Sequence, residues 1–196
     1  MTTIYLKNAR ASFVEGLYKA KAFKDGKPKF SCDFLIDEKT TIQEIEDGKR
    51  VDTTMDAVLL KVATEAWKAK GAQVLKSLEA SKCSYRDGSK RDPEIYEAYQ
   101  GLMYVTAKNK KQPTLVGADG KALDRNDDYT IYSGCRVNVK MDIYANLDPT
   151  ERGVFAGLLG VQFAGDDESF GVGSRVASED DFEPLDIGAD ADDIDL

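Results

Sequence analysis

The chain of 196 residues contains no histidine. That absence removes Ser-His-Asp and Cys-His nucleophilic chemistry, histidine-ligated metal sites and the commonest general base. Cysteine is scarce as well. Cys32, Cys83 and Cys135 lie far apart and form no Cys-x-x-Cys pair, which speaks against a disulfide framework or a zinc site and fits reduced thiols in a cytoplasm. There is no run of about eighteen apolar residues, so no spanning helix and no membrane partner are expected. Residues 1–14 alternate polar and apolar rather than forming the apolar stretch of a secretory signal. A phosphate-binding Walker A loop, a Gly-x-Gly-x-x-Gly turn and a Gly-x-Ser-x-Gly elbow are all missing. The acidic clusters Asp127-Asp128, Asp166-Asp167-Glu168 and Asp180-Asp181 fall in turns or in the C-terminal segment, where carboxylates are ordinarily solvated. These absences point away from an enzyme and toward a protein without metal or cofactor.

What is present is lopsided. Acids outnumber bases 35 to 27, a net charge of −8, yet residues 178–196 alone hold nine carboxylates and no base. Without them, 26 acids face 27 bases over 177 residues. The chain reads as a nearly neutral body, 1–177, carrying a detachable polyanion, 178–196. Blocks of like charge resist packing and act as interaction tails. Phe182, Leu185, Ile187, Ile194 and Leu196 punctuate this one and could anchor in a partner's pocket.

The body patterns as strands. Residues 2–14, Leu17–Phe23 and Lys29–Ile36 read as the first three, with Asp25-Gly26 as a hairpin turn between the last two. Thr41 to Glu44 fits a capping box for a short helix. A longer helix is expected over Thr53–Lys70, ending at Gly71, with Met55, Val58, Leu59, Val62, Ala63 and Ala66 as its apolar stripe. Ser81–Arg91 reads as a polar loop, and Asp92-Pro93 as the start of a helix of one or two turns. Gly101–Lys108 is a strand running into basic residues 108–111, and Asp119-Gly120 turns a second hairpin. Cys135–Asn146 alternates most clearly: Cys135, Val137, Val139, Met141 and Ile143 on one face, Arg136, Asn138, Lys140, Asp142 and Tyr144 on the other. The glycine-rich stretch Gly153–Phe163 is a final strand with bends or close backbone approach. Six or more strands not interleaved with helices, plus one inserted helix, give a mainly β fold of α+β type: a small antiparallel barrel. The pattern does not separate an oligonucleotide-binding (OB) barrel from other small barrels.

Basic residues interleave with aromatics in three places. The arm 18–29 carries Tyr18, Lys19, Lys21, Lys27 and Lys29; the loop 82–91 carries Tyr85, Arg86, Lys90 and Arg91; the outward face of 135–146 offers Arg136, Lys140 and Tyr144. Single-stranded nucleic acid asks for this mixture, cations to track phosphates and ring faces for unpaired bases. Tyr18, Tyr85, Tyr104 and Tyr144 are the candidate stacking residues. The alternatives are a DNA-mimic inhibitor of a nuclease, whose carboxylates would line a folded surface, and a virion structural protein.

Asn8-Ala-Arg10, Tyr132 to Val137, Gly157 to Phe163 followed by Asp166-Asp-Glu168, and Ser178-Glu-Asp-Asp-Phe182 occur in an order that resembles the bacteriophage single-stranded-DNA-binding proteins. The resemblance implies an OB fold with a disordered acidic C-terminal tail. It also implies a role in phage DNA replication, recombination or repair in the host cytoplasm, and association as dimers or cooperatively along DNA. Partner replication or recombination proteins would be recruited through the tail, with Asp180, Asp181, Phe182, Asp192, Asp193, Ile194 and Leu196 as the contact residues.

Overall fold

The computed structural model describes residues 1–22, 26–124 and 130–170. The Asp25-Gly26 turn in part, the boundary at 177 and the whole acidic segment 178–196 lie outside them. In chain order the elements are β1 (Thr2–Ser12), the single helical turn α1 (Glu15–Tyr18), β2 (Phe30–Ile36), β3 (Thr41–Glu46), β4 (Lys49–Thr53), α2 (Met55–Trp67), α3 (Gly71–Ser77), β5 (Tyr85–Asp87), β6 (Met103–Asn109), β7 (Thr114–Val116), β8 (Arg136–Asn146) and β9 (Gly153–Gly165).

Five strands close a ring in the order β1, β2, β6, β9, β8 and back to β1. All neighbours are antiparallel except β6 and β9, which run parallel. Alternation along each strand explains the closure. Ile4 and Leu6, Cys32 and Phe34, Val105 and Ala107, Val137 to Ile143 at every second position, and Leu158 turn inward to one apolar cluster. The stripe Met55, Val58, Leu59 and Val62 of α2 joins the same cluster. The fold is thus mainly β, an OB-type barrel with an inserted helix.

Thr41 to Glu44 does not cap a helix. It opens β3, which pairs with β4 through the two-residue turn Asp47-Gly48, both residues at positive φ (49° and 76°). Asp-Gly is a strong hairpin signal, and with β-branched Ile42 and Ile45 before it, it outweighs the local capping pattern. Residues 17 and 18 lie in α1 rather than in a strand, and the arm is held by a bridge between Lys21 and Lys29. Tyr85–Asp87 of the polar loop pairs with β6, and Asp92-Pro93 makes a turn, its carboxylate accepting from the Glu94 amide, before a short 3-10 segment at Glu97–Tyr99.

Gly71 does not end the helix either. Lys68, at φ 54°, breaks α2, and after one 3-10 turn α3 folds back with Gly71 buried against it. A Cβ at position 71 would sit 2.7 Å from the Ala63 carbonyl. Gly71→Ala therefore destabilises the protein by about 1–3 kcal/mol, read as a lowered urea midpoint, because backbone must move to admit the methyl.

Candidate nucleic-acid interface

A groove of about 650 Å³ crosses the outer face of the barrel over β6, β9 and β8. Lys108 on β6, Phe155 and Gly157 on β9 and Tyr144 on β8 form part of its lining, with Arg86 on β5, Lys29 ahead of β2 and Lys110-Lys111 after β6. A smaller hollow of about 330 Å³ shares Arg86, Thr106 and Lys108 and runs on to Asp33, Arg91, Lys21 and Phe13. The two make one tract.

Charge in the groove is one-sided. Its acids are already engaged: Asp142 accepts from the Thr3 hydroxyl at 2.6 Å, and Glu151 pairs with Lys82 at 3.0 Å. Lys29, Arg86, Lys108, Lys110 and Lys111 have no ion-pair partner among the described residues. Lys108 feels the crowding. Lost hydration first, then the nearby Arg86 and Lys29 charges, hold its ammonium below the usual lysine pKa, with Asp33 opposing. An anion laid along the groove relieves that strain.

Beneath the tract, Asp33 is 5% exposed and fully used. It accepts from Arg91 at 3.1 Å, the Tyr99 hydroxyl at 2.9 Å and the Thr106 hydroxyl at 2.6 Å. Thr106 in turn accepts from Arg86 at 2.7 Å. Burial first, then the Asp33 charge, push the Tyr99 phenol far above its ordinary pKa, which keeps it a donor. Arg91 lies 4.5–4.9 Å from the centroids of Tyr96, Tyr99 and Tyr104. The cluster fixes Arg86 and Arg91 at the groove's edge.

Tyr144 and Phe155 face each other across β8 and β9, ring centroids 6.2 Å apart, and Tyr144 is 39% exposed. Next along β9, a Cβ on Gly157 would meet nothing closer than 3.7 Å. Packing does not demand glycine there; its effect is an open floor beside an exposed ring. Flat aromatic surface next to cations that have no ion-pair partner among the described residues suits bases and phosphates of a single strand.

The family model built on the ssDNA-binding protein of Enterobacter phage Enc34 matches residues 2–194. The chain belongs to that family. It is 32% identical over 190 residues to the p50 protein of Acyrthosiphon pisum secondary endosymbiont phage 1, covering 93% of both chains. The solved ssDNA complex of the single-stranded DNA-binding protein from bacteriophage Enc34 superposes with a TM-score of 0.61 at 22% identity, over 86% of this chain and 89% of that one. The same phage protein in another solved structure gives 0.59, over 91% and 88%. These structures share the barrel fold.

Within this member of the Enc34 family, the residues singled out from sequence scatter. Arg86 and Tyr144 line the large groove, and Lys21, Arg86 and Arg91 the small hollow. Lys19, Lys27, Lys90 and Lys140 are exposed but line neither. Tyr18 is half-buried, its hydroxyl donating to the Ile131 carbonyl, and Tyr85 packs against the barrel core. Tyr104 is 3% exposed and so offers no face to a base. Arg136 is 7% exposed, paired with Asp37 at 2.7 Å and Asp167 at 2.6 Å. Asp180, Asp181, Phe182, Asp192, Asp193, Ile194 and Leu196 lie outside the described residues. Not singled out were Lys108, Lys110, Lys111, Phe155 and Gly157. The basic run at 108–111 was their signal, as was Phe155 standing between two glycines at every second position of β9.

Proposed function

We propose that the protein coats single-stranded DNA, with no chemistry of its own, during phage DNA replication, recombination or repair in the host cytoplasm. The observation that carries this is the groove. Five cations without ion-pair partners among the described residues flank the Tyr144–Phe155 pair on the barrel face, in a chain of a ssDNA-binding family. Phosphates are neutralised by Lys29, Arg86, Lys108, Lys110 and Lys111, and bases stack on Tyr144 and Phe155. Lys21 and Arg91 extend the path into the smaller hollow. The acidic segment 178–196 competes for the groove and holds partner replication or recombination proteins.

Fluorescence anisotropy of labelled oligo(dT) tests both parts. Full-length protein and a chain ending at Ala177 are titrated across a salt series, each also against duplex of equal length. Both bind oligo(dT) more weakly as salt rises, and duplex binding strengthens in the shorter chain. Absence of oligo(dT) binding at low salt removes the nucleic-acid reading. Equal duplex binding by the two chains removes the competing tail.

A further inference from the structure

The hairpin β3–β4 projects from the closed barrel, and β4 ends the sheet path with no strand on its outer side among the described residues. An open edge is a template for another strand. Which backbone groups it presents follows from the turn. A two-residue turn closes on a hydrogen-bonded pair, here Glu46 with Lys49. Alternation then aims the amides and carbonyls of Lys49, Val51 and Thr53 at β3, and those of Arg50 and Asp52 outward.

We propose that β4 is a self-pairing surface, joining two copies of the protein through an antiparallel β4–β4 seam centred on Val51. Only registers that set outward-facing residues opposite one another can form hydrogen bonds. Centring on Arg50 puts arginine against arginine, and centring on Asp52 puts aspartate against aspartate. Centring on Val51 puts Arg50 against Asp52 of the second copy, and Asp52 against its Arg50, each pair exchanging backbone hydrogen bonds and opposite charges. The strand is self-complementary, as a two-fold interface requires.

The side chains are already set for it. Arg50 and Asp52 share one face of the hairpin. The Arg50 guanidinium lies 3.6 Å from the Tyr5 ring centroid, and Gln43 donates to Asp52 at 2.8 Å. On the other face Val51 is 49% exposed, opposite Glu44. Lys61 of α2 bonds Glu44 and Glu46 at 2.6 and 2.9 Å and braces the hairpin from that side. In the seam the two Val51 side chains meet across the two-fold, in the close non-hydrogen-bonded position. Arg50 and Asp52 line neither hollow of the groove, so the seam leaves the DNA path free.

Sedimentation velocity of full-length chains, without DNA and over about 1–200 µM because so short a seam is a weak contact, tests this. Wild type shows a reversible monomer–dimer equilibrium. Arg50→Asp and Asp52→Arg each set like charges opposite and weaken dimerisation by about tenfold or more. An equimolar mixture of the two variants regains a dimer, because one chain then carries aspartate at both positions and the other arginine at both. Recovery on mixing also shows that both variants are folded. A wild type that stays monomeric across the range, a dimer that neither reversal weakens, or no recovery on mixing each overturns the proposal. Oligo(dT) affinity of the separate variants is measured alongside, so that failure of the seam and failure of the DNA reading are distinguished.

Discussion

Replacing Lys108, Lys110 and Lys111 together with glutamine lowers affinity for oligo(dT) about 100-fold at 0.1 M salt. The magnitude follows from counterion release: each phosphate neutralised on a single strand adds about 0.7 to the slope of log affinity against log salt, so three lost contacts remove about 2. The groove explains why these lysines carry so much. They have no ion-pair partner among the described residues, so their charge is available to a ligand rather than spent on a neighbouring carboxylate. Glutamine keeps most of the length and the hydrogen-bonding capacity, which isolates the charge. Stability should not fall. Lys108 is held below its ordinary pKa by lost hydration and by Arg86 and Lys29, so neutralising it relieves repulsion. The measurement is a salt series of anisotropy titrations with thermal melts of the free protein. An unchanged slope would mean that the strand does not follow this groove.

The barrel was legible because its strands are half-buried. In β8 the alternation of Val137, Val139, Met141 and Ile143 with polar residues reads directly as one buried face, and α2 shows its stripe at helical spacing. What misled was local chemistry overridden by a neighbour. Thr41 and Glu44 carry a capping pattern, but the Asp47-Gly48 turn three residues later recruits them into a hairpin. Leu17 looks like strand and is buried instead at a helical turn.

Of the candidate groove, the mixture of residue types was legible in the sequence and the positions that line it were less so. Interleaved cations and rings announce a polyanion with stacking faces, but period two says only which side of a strand a residue takes, not what closes over it. Tyr104 takes an outward place on β6 and Arg91 a loop position after β5, yet both are drawn into the cluster around buried Asp33: Arg91 donates to the Asp33 carboxylate and to the Tyr104 hydroxyl. Phe155 is half-buried and shows its ring because Gly153 and Gly157 flank it two positions away, a pattern of small residues that hydrophobicity does not register.

Arg136 is the sharpest case, and its replacement by methionine separates structure from binding. Alternation sets Arg136 on the outer face of β8, beside Lys140 and Tyr144. The segments after β2 and after β9 then cover it with Asp37 and Asp167, and its guanidinium also donates to the Asn8 carbonyl. Arg136→Met strands Asp37, itself nearly buried, and costs about 3–5 kcal/mol at pH 7, read from urea midpoints. The pH dependence carries a sign. Burial pushes the Asp37 carboxyl up, but hydrogen bonds from Arg136 and Thr40 outweigh it and hold its pKa below the ordinary value. The Glu168 amide and then Arg136 do the same for Asp167. A folded-state pKa below the unfolded one gives stability that is present above about pH 4 and is lost as pH falls through the folded value. The gap between wild type and variant is therefore full at pH 7 and narrows toward pH 3. The salt slope for oligo(dT) stays unchanged, whereas loss of a phosphate contact would lower it by about 0.7. A lowered slope with an unchanged urea midpoint would mean that Arg136 leaves its carboxylates for the DNA.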